Sequence, residues 1–221
     1  MKKKEKANLI TKELCELYPT AICALDYKGD PWKLLIMARL SAQCTDKCVN
    51  EVSVPLFSKY PNAESLAAAE ATDVENIIRP CGLFRKKASD IIAQSKKLYS
   101  EFDGILPSDI NTLLTFPGVG RKIANLLIGD IYKGAAIVTD THFIRICGRL
   151  GFYPESEKNP HRIENITKEL IEPSEQSDFC HRIVMFGREI CSARNPKCSV
   201  CPIAKKGLCK SFADKLKSKN K

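Results

Sequence analysis

The amino-acid sequence predicts an all-α protein. Apolar residues recur at the spacing of an amphipathic helix along most of the chain. Residues that cap helices stand where several of these apolar patterns begin. Only residues 135–139, AAIVT, suggest a strand, and a run that short is ambiguous between strand and helix.

The first helical segments begin at recognisable capping residues. Asp30 and Pro31 supply an N-cap and a first helical position for the segment PWKLLIMARLSA. Further N-caps are expected at Asn62, Asp73 and Ser108. In residues 86–102, the apolar positions that share one face are Ala88, Ile91, Ile92 and Leu98.

The second half of the chain continues the helical pattern. Three helical segments are expected over residues 140–151, 159–172 and 173–191. The last residues, 210–221, have the composition of a frayed, solvated tail. The whole chain is therefore assigned to the all-α class.

Composition and charge favour a globular protein that binds a polyanion. Hydrophobic residues make up 44% of the chain, and 35 Lys and Arg against 26 Asp and Glu give a net charge of +9. Basic surfaces attract nucleic acid through counterion release, although they also face membranes and acidic proteins. The chain has no apolar run of membrane-spanning length and no secretory signal, so we expect a cytoplasmic, nucleoid-associated protein.

The stretch LLTFPGVGRKIANLLIGD, residues 113–130, interrupts a helical pattern with Pro117, Gly118 and Gly120. A helix should end before the proline, and the glycines allow a tight turn. The next helix should then begin near Arg121, with its unpaired N–H groups pointing outward. Such a helix end binds phosphate through the backbone, without reading base sequence.

Lys122 lies in the first turn of that second helix, where the helix dipole disfavours a cation. The dipole and the neighbouring Arg121 both favour the neutral amine, which is a nucleophile suited to carbonyl-like carbon. Asp140 follows a short apolar run and precedes a new helix. It is interpreted either as an N-cap or as a carboxylate that assists Lys122.

Eleven cysteines are unusual for a reducing compartment. Most of the seven scattered ones are expected to be buried as small hydrophobic residues; they are Cys15, Cys23, Cys44, Cys48, Cys81, Cys147 and Cys180. The other four stand at spacings of six, two and seven residues, at Cys191, Cys198, Cys201 and Cys209. Four nearby cysteines indicate a metal site, and both zinc and an iron–sulfur cluster accept them.

Two segments together, LTFPGVGRKIANLL and VTDTHFIRICGRLG, closely resemble the endonuclease III family of DNA glycosylases in the helix–hairpin–helix superfamily. LLIMARLSAQCTDKCVN is similar to the family's LLSAQ-T-D segment, and CGLFRKKA to its G-L-[YF]-x-x-K-A segment. The resemblance extends over nearly the whole chain. Ile123 stands where the family commonly has Thr, which we interpret as a packing change.

The resemblance implies roles for individual residues. Lys122 falls on the family's catalytic lysine and Asp140 on its catalytic aspartate. Gln43 and Leu83 match the positions that wedge into the duplex where the target base leaves. Further candidate DNA-binding residues are Gly118, Val119, Gly120, Arg121, His142, Arg194 and Lys197. For His142 a purely structural role is the alternative.

The resemblance also implies a [4Fe–4S] cluster held by the four C-terminal cysteines. The last spacing is seven residues where the family usually has five, and the two extra residues lie in PIAKKGL, which is expected to bulge outward. The cluster would be structural and would present Arg194 and Lys197 to phosphates. The expected domains are a six-helix domain with the hairpin at 26–134, a discontinuous cluster domain at 1–25 and 135–213, and a basic tail at 214–221.

The implied activity is a bifunctional DNA glycosylase/AP lyase that removes oxidised pyrimidines from double-stranded DNA. A monomer with two lobes would bind DNA in the basic cleft between them, with Lys122 and Asp140 facing each other across it. The sequence leaves two alternatives open. One is a mismatch thymine or uracil glycosylase on the same fold. The other is a noncatalytic helix–hairpin–helix DNA-binding module with structural zinc.

Overall fold

The computed structural model describes residues 1–219, and within them the chain forms thirteen α-helices and two short 3-10 helices, with no strand. The predicted all-α class is confirmed. The α-helices are α1 Lys3–Leu17, α2 Pro31–Leu40, α3 Asp46–Lys59, α4 Ala63–Ala67, α5 Ala71–Ile78, α6 Phe84–Phe102, α7 Ile110–Leu113, α8 Arg121–Asp130, α9 Thr141–Leu150, α10 Pro160–Leu170, α11 Gln176–Glu189, α12 Pro202–Lys205 and α13 Lys210–Lys219. The 3-10 helices are Arg79–Cys81 and Pro173–Glu175. In the described part of the chain, no helix has the length and apolar character needed to span a membrane.

The chain divides into two compact units. The hairpin unit is Cys23–Tyr132, and the cluster unit joins Met1–Ile22 to the described residues from Lys133 onward. Each unit has its own apolar core. The domain limits at residues 26, 134 and 214 stay predictions.

The core of the hairpin unit is built around α2. Its central residues Leu34, Leu35, Ile36 and Met37 have no exposed surface, so the middle of this helix is buried on every side. Helix α6 packs against α2, α4 and α5 and contributes Ala88, Ile91 and Leu98 to the same core. The predicted apolar face of α6 is therefore confirmed, with Ile92 half-buried at its edge.

The core of the cluster unit is aromatic. Phe143 of α9 meets Phe179 of α11 edge to face, with ring centroids 6.0 Å apart. Phe179 also stacks on Phe152, at 6.3 Å. Helix α1 packs on α10 and α11 and brings Ile10 and Leu14 into this core.

Two of the predicted helix starts are confirmed by their hydrogen bonds. The Asp30 carboxylate accepts a bond from the Lys33 N–H at 3.2 Å, and Pro31 occupies the first helical position of α2. Asn62 accepts a bond from the Ser65 N–H at 2.8 Å at the start of α4. These caps depend on residues three positions apart, which the sequence displays directly.

Two other predicted caps are wrong. Asp73 lies inside the first turn of α5, which begins at Ala71, and its carboxylate accepts bonds from Tyr60 (2.9 Å) and from Lys59. The Asp73 carboxylate therefore binds residues at the end of α3 and does not cap α5. At α7 the N-cap is Asp109 and not its neighbour Ser108.

Two further expectations concern residues 135–139 and the C-terminus. Residues 135–139 form no regular secondary structure, although Ala136 and Ile137 are buried. The expectation of a frayed tail is wrong for Lys210–Lys219, which is helix α13. Phe212 packs this helix onto the core of the cluster unit, which explains its order. The rest of the predicted tail, residues 220–221, lies outside the described residues.

Candidate nucleic-acid interface and cysteine loop

The hairpin between α7 and α8 has the geometry that its sequence predicts. Helix α7 ends at Leu113, and α8 begins at Arg121. Between them the Val119 N–H donates to the Phe116 carbonyl at 3.1 Å, and Gly118 has a left-handed φ of +70°. Gly120 is the N-cap of α8 and brings no side chain to that helix end. The start of α8 is therefore open to an anionic ligand.

Two residues of α6 support the hairpin. The Gln94 side-chain amide donates to the Pro117 carbonyl at 2.6 Å. Asp90 Oδ2 accepts a bond from Arg39 Nε at 2.7 Å, and the Asp90 side chain is 1% exposed. A Cβ at Gly118 would lie 2.5 Å from Arg39 Nε, so only glycine fits above this ion pair.

The hairpin residues differ in what they offer a ligand. Gly118 and Gly120 are exposed, so their backbone is accessible. Val119 is 6% exposed and its N–H is already bonded within the turn, so it anchors the hairpin to the core. Arg121 is half-buried.

Lys122 is exposed in the first turn of α8, which contains no acidic residue. Its Nζ forms no hydrogen bond or ion pair with any residue in the described range 1–219. An amine with these properties is available to react with a bound ligand.

Asp140 is the N-cap of α9, as one of its two interpretations predicted. Its Oδ1 accepts a bond from the Phe143 N–H at 2.7 Å, and the residue is half-buried. The other oxygen, Oδ2, makes no hydrogen bond to residues 1–219. The cap therefore orients the carboxylate and leaves one oxygen for another partner.

Gln43 and Leu83 are both exposed on strained turns of the hairpin unit. Their φ angles are +54° and +48°, in the left-handed region that non-glycine residues rarely adopt. Leu83 is 61% exposed and directly precedes α6, while Gln43 lies shortly before α3. Such strain tends to occur at functional sites, because a stable fold otherwise has no need of it.

His142 is half-buried in α9 and lies against α11. Its Nδ1 lies 3.2 Å from Arg145 Nη2. A Cβ at Gly187 would come within 2.4 Å of the same nitrogen, so the imidazole ring packs on the bare backbone of α11. This packing gives His142 a structural role whether or not it also contacts DNA.

The four C-terminal cysteines line one cavity of the cluster unit; they are Cys191, Cys198, Cys201 and Cys209. Four cysteines around one cavity are the usual ligand set of a four-iron cluster, and four thiolates also accept zinc.

Arg149 of α9 holds the cysteine loop. Its guanidinium donates to Cys191 Sγ at 3.4 Å, and to the carbonyls of Ser192 and Ala193 at 2.8 Å each. The Cys209 thiol in turn lies 3.7 Å from the Arg149 carbonyl. Positive charge and N–H donors beside the sulfurs stabilise the negative charge of a bound iron–sulfur cluster.

Burial raises the pKa of the Cys201 and Cys209 thiols. Metal binding needs the thiolates, so it releases protons from both side chains. Arg194 and Lys197 are exposed between the first two cysteines. Neither side chain has a partner within residues 1–219, so both are available to phosphates.

The expectation that residues 202–208 bulge outward as a flexible stretch is wrong. Pro202–Lys205 is helix α12, and Ile203 and Leu208 are buried in the core of the cluster unit. Lys205 and Lys206 remain outside. The apolar residues within this basic stretch thus attach it to the core.

A group of three cysteines was not identified from the sequence. The sulfur atoms of Cys44, Cys48 and Cys81 all lie within 4.8 Å of one another. The four-residue separation of the first two around a helix start was the available signal, while the third is remote in sequence. Of the seven scattered cysteines, Cys81, Cys147 and Cys180 are buried, three are half-buried and Cys15 is exposed, so the expectation that most of them are buried holds for only three.

Comparison with family models gives two matches. Residues 36–173 match the family described as HhH-GPD superfamily base excision DNA repair protein. Residues 191–205 match the iron-sulfur binding domain of endonuclease III. The second match includes Cys191, Cys198 and Cys201 and ends before Cys209.

Individual proteins are also similar to this chain over most of its length. The chain is 41% identical over 203 residues to endonuclease III from Synechocystis sp., and 91% of each chain is covered. A solved non-covalent endonuclease III–DNA complex is 34% identical, with a TM-score of 0.89 over 98% of this chain and 100% of that one. A trapped covalent endonuclease III–DNA intermediate is 35% identical, with the same TM-score and coverage.

Proposed function

The chain belongs to the endonuclease III family of base excision DNA repair proteins, and on this premise we propose that it excises oxidised pyrimidines and cuts the strand through Lys122. It is a DNA glycosylase/AP lyase that acts on double-stranded DNA with damaged bases or abasic sites. Its cofactor is a [4Fe–4S] cluster. The observation that carries the proposal is the exposed, unpartnered amine of Lys122 beside an open helix end.

The hairpin supplies the grip on the DNA backbone. A phosphate binds at the N-terminal end of α8, where Gly118 and Gly120 bring accessible backbone close to it. This contact positions the DNA without reading its sequence. It also places the sugar of the target nucleotide near the first turn of α8, where Lys122 lies.

Lys122 acts as the nucleophile. Its nitrogen lone pair forms a bond to the sugar carbon C1′ while the bond from C1′ to the base breaks. The base leaves with the electron pair of the broken bond and takes up a proton. The sugar ring then opens to a Schiff base with Lys122. Loss of a proton from C2′ expels the phosphate 3′ to the lesion, and water hydrolyses the Schiff base to restore the amine.

Asp140 is the second catalytic residue in this proposal. Its capping bond to Phe143 orients the carboxylate, and its second oxygen stabilises positive charge on the sugar or takes up the amine proton. Gln43 and Leu83 occupy the gap in the duplex once the target base is flipped out. Gln43 replaces lost pairing with its amide, and Leu83 replaces lost stacking with apolar surface.

The iron–sulfur cluster has a structural role. It cross-links the loop between Cys191 and Cys209, and this loop presents Arg194 and Lys197 to phosphates. Action on chromosomal DNA also agrees with a cytoplasmic, nucleoid-associated location.

Borohydride trapping tests the role of Lys122. Duplexes carrying thymine glycol, an abasic site or a G·T mismatch are incubated with the holoenzyme and reduced, and covalent protein–DNA adducts are resolved on a denaturing gel. We expect adducts with thymine glycol and with the abasic site for the unmodified protein, and none for Lys122→Ala. Lys122→Arg keeps the positive charge and should also give none.

Lys96→Ala is the matched control. Lys96 is an exposed lysine of the same unit with no partner in residues 1–219, and its removal should leave trapping unchanged. Adducts of normal yield from Lys122→Ala would refute the assignment. Preferred excision at G·T would instead support a mismatch glycosylase.

A further inference from the structure

The hairpin unit contains a second cysteine site, separate from the four cysteines of the cluster loop. Cys44 lies just before α3, Cys48 lies in the first turn of α3, and Cys81 ends the 3-10 helix before α6. Their three sulfur atoms lie within 4.8 Å of one another, and no other such group of His, Cys, Asp or Glu occurs in residues 1–219. Two chain segments far apart in sequence thus converge on one point.

The spacing of the three sulfurs suits a single metal ion. Three thiolates around an ion with metal–sulfur bonds of about 2.3 Å lie roughly 4 Å apart. A small inward movement of the side chains therefore reaches coordination distance. A disulfide would require two of the sulfurs to approach to about 2.05 Å and would leave the third unused.

Two of the three cysteines are accessible to solvent. Cys81 is buried, whereas Cys44 and Cys48 are half-buried. A water molecule can take the fourth coordination position that a thiophilic ion such as Zn²⁺ prefers.

A buried lysine beside the group is an independent observation. Lys87 has no exposed surface, and its Nζ donates to the carbonyls of Leu40 and Cys81 at 2.8 Å each. No carboxylate within residues 1–219 pairs with it. A buried ammonium without a counter-ion is costly. Three thiolates around a divalent ion carry a net charge of −1, which would balance Lys87.

We propose that Cys44, Cys48 and Cys81 bind a thiophilic divalent cation, with Zn²⁺ the ion that fits, and that Lys87 balances the charge of the site. The ion connects the turn at Gln43 to the turn at Leu83, because each turn lies within two residues of a ligand. Occupancy therefore stabilises the hairpin unit where both turns are strained.

The test measures zinc in the holoenzyme, with iron content recorded to confirm that the cluster loop is loaded. Protein equilibrated with Zn²⁺ and desalted is analysed for both metals, and zinc affinity is measured by competition with a chromophoric chelator. We expect one zinc per chain in addition to the iron. Cys44→Ser and Cys48→Ser should each weaken zinc binding by more than about tenfold, with the iron content unchanged.

Cys15→Ser is the matched control, because Cys15 is an exposed cysteine outside the group. It should retain zinc, and added Zn²⁺ should raise its thermal midpoint as it does for the unmodified protein. Cys48→Ser should lose this rise of the thermal midpoint with added Zn²⁺. Position 48 is half-buried and not buried, unlike that of Cys81. Absence of the extra zinc, or equal affinity in Cys48→Ser, would overturn the proposal. A disulfide within the group in place of zinc, detected by mass spectrometry, would do the same.

Discussion

Gly118 of the hairpin lies so close to Asp90 of α6 that a Cβ at position 118 would come within 2.7 Å of Asp90 Oδ2. Asp90 is buried and accepts bonds from Arg39 Nε at 2.7 Å and Lys86 Nζ at 2.6 Å. The turn that offers backbone to a phosphate is thus seated on a charge network. Its shape depends on residues far away in sequence as well as on its own glycines.

We expect Gly118→Ala to lower the free energy of unfolding by more than about 1 kcal/mol, because its φ of +70° is unfavourable for alanine and its Cβ would clash. Gly120→Ser is the matched control. Gly120 has an extended φ of −96° with nothing within 4 Å of an added Cβ, and serine would supply the missing N-cap. This variant should be as stable as the unmodified protein or slightly more so. Urea denaturation measures both, and equal stability of Gly118→Ala would contradict the clash.

Leu83→Ala tests whether Leu83 acts as a wedge in the DNA duplex or as part of the protein core. Leu83 is 61% exposed, so its truncation should change stability by less than about 0.5 kcal/mol. Excision from thymine glycol duplexes should fall, while cleavage at preformed abasic sites should fall less, because no base remains to be displaced. Leu98→Ala, within the helix α6 that Leu83 precedes and fully buried, should cost about 2–5 kcal/mol. Unchanged excision by Leu83→Ala would remove the wedge assignment.

Arg149→Ala should make the iron–sulfur cluster more labile. The variant loses the bond to Cys191 Sγ and the two bonds that hold the loop carbonyls, so the cluster is less shielded and less stabilised. The measurement is the decay of visible absorbance under mild oxidation, together with iron content. Arg194→Ala removes an exposed arginine from the same loop and should decay at the normal rate. Identical decay of the two variants would argue against the anchoring role.

Asp109 links stability to pH at the helix before the hairpin. Bonds from the Thr112 N–H and hydroxyl, each 2.8 Å, lower the pKa of the Asp109 carboxyl below its ordinary value. A carboxyl with a lowered folded-state pKa stabilises the protein above its unfolded pKa of about 3.9, and this contribution is lost as the pH falls through the folded value. Asp109→Asn should therefore lose less stability than the unmodified protein when the pH is lowered from about 6 to about 3.

Thr112→Ala is the graded control for this pH effect. It removes the hydroxyl bond and keeps the backbone bond to Asp109, so its pH dependence should lie between those of the other two proteins. Urea midpoints at the two pH values measure all three. The same pH dependence for Asp109→Asn and the unmodified protein would contradict the role of this cap.

The sequence by itself determined the features that depend on residues a few positions apart. The caps at Asp30, Asn62 and Asp140, the tight turn at Gly118 and the start of α8 at Arg121 all follow from local backbone chemistry. Turn and cap preferences act over three or four residues, so a linear reading contains them.

Only the tertiary structure decided which residues from distant parts of the chain contact one another. Asp73 is a good local cap, but Lys59 at the end of α3 and Tyr60, which follows it, bind it instead. The support of Gly118 by Asp90 and the convergence of Cys81 on Cys44 and Cys48 join positions separated by tens of residues. Such pairings arise when distant helices bury their apolar faces together, and no pattern within one short segment contains that information.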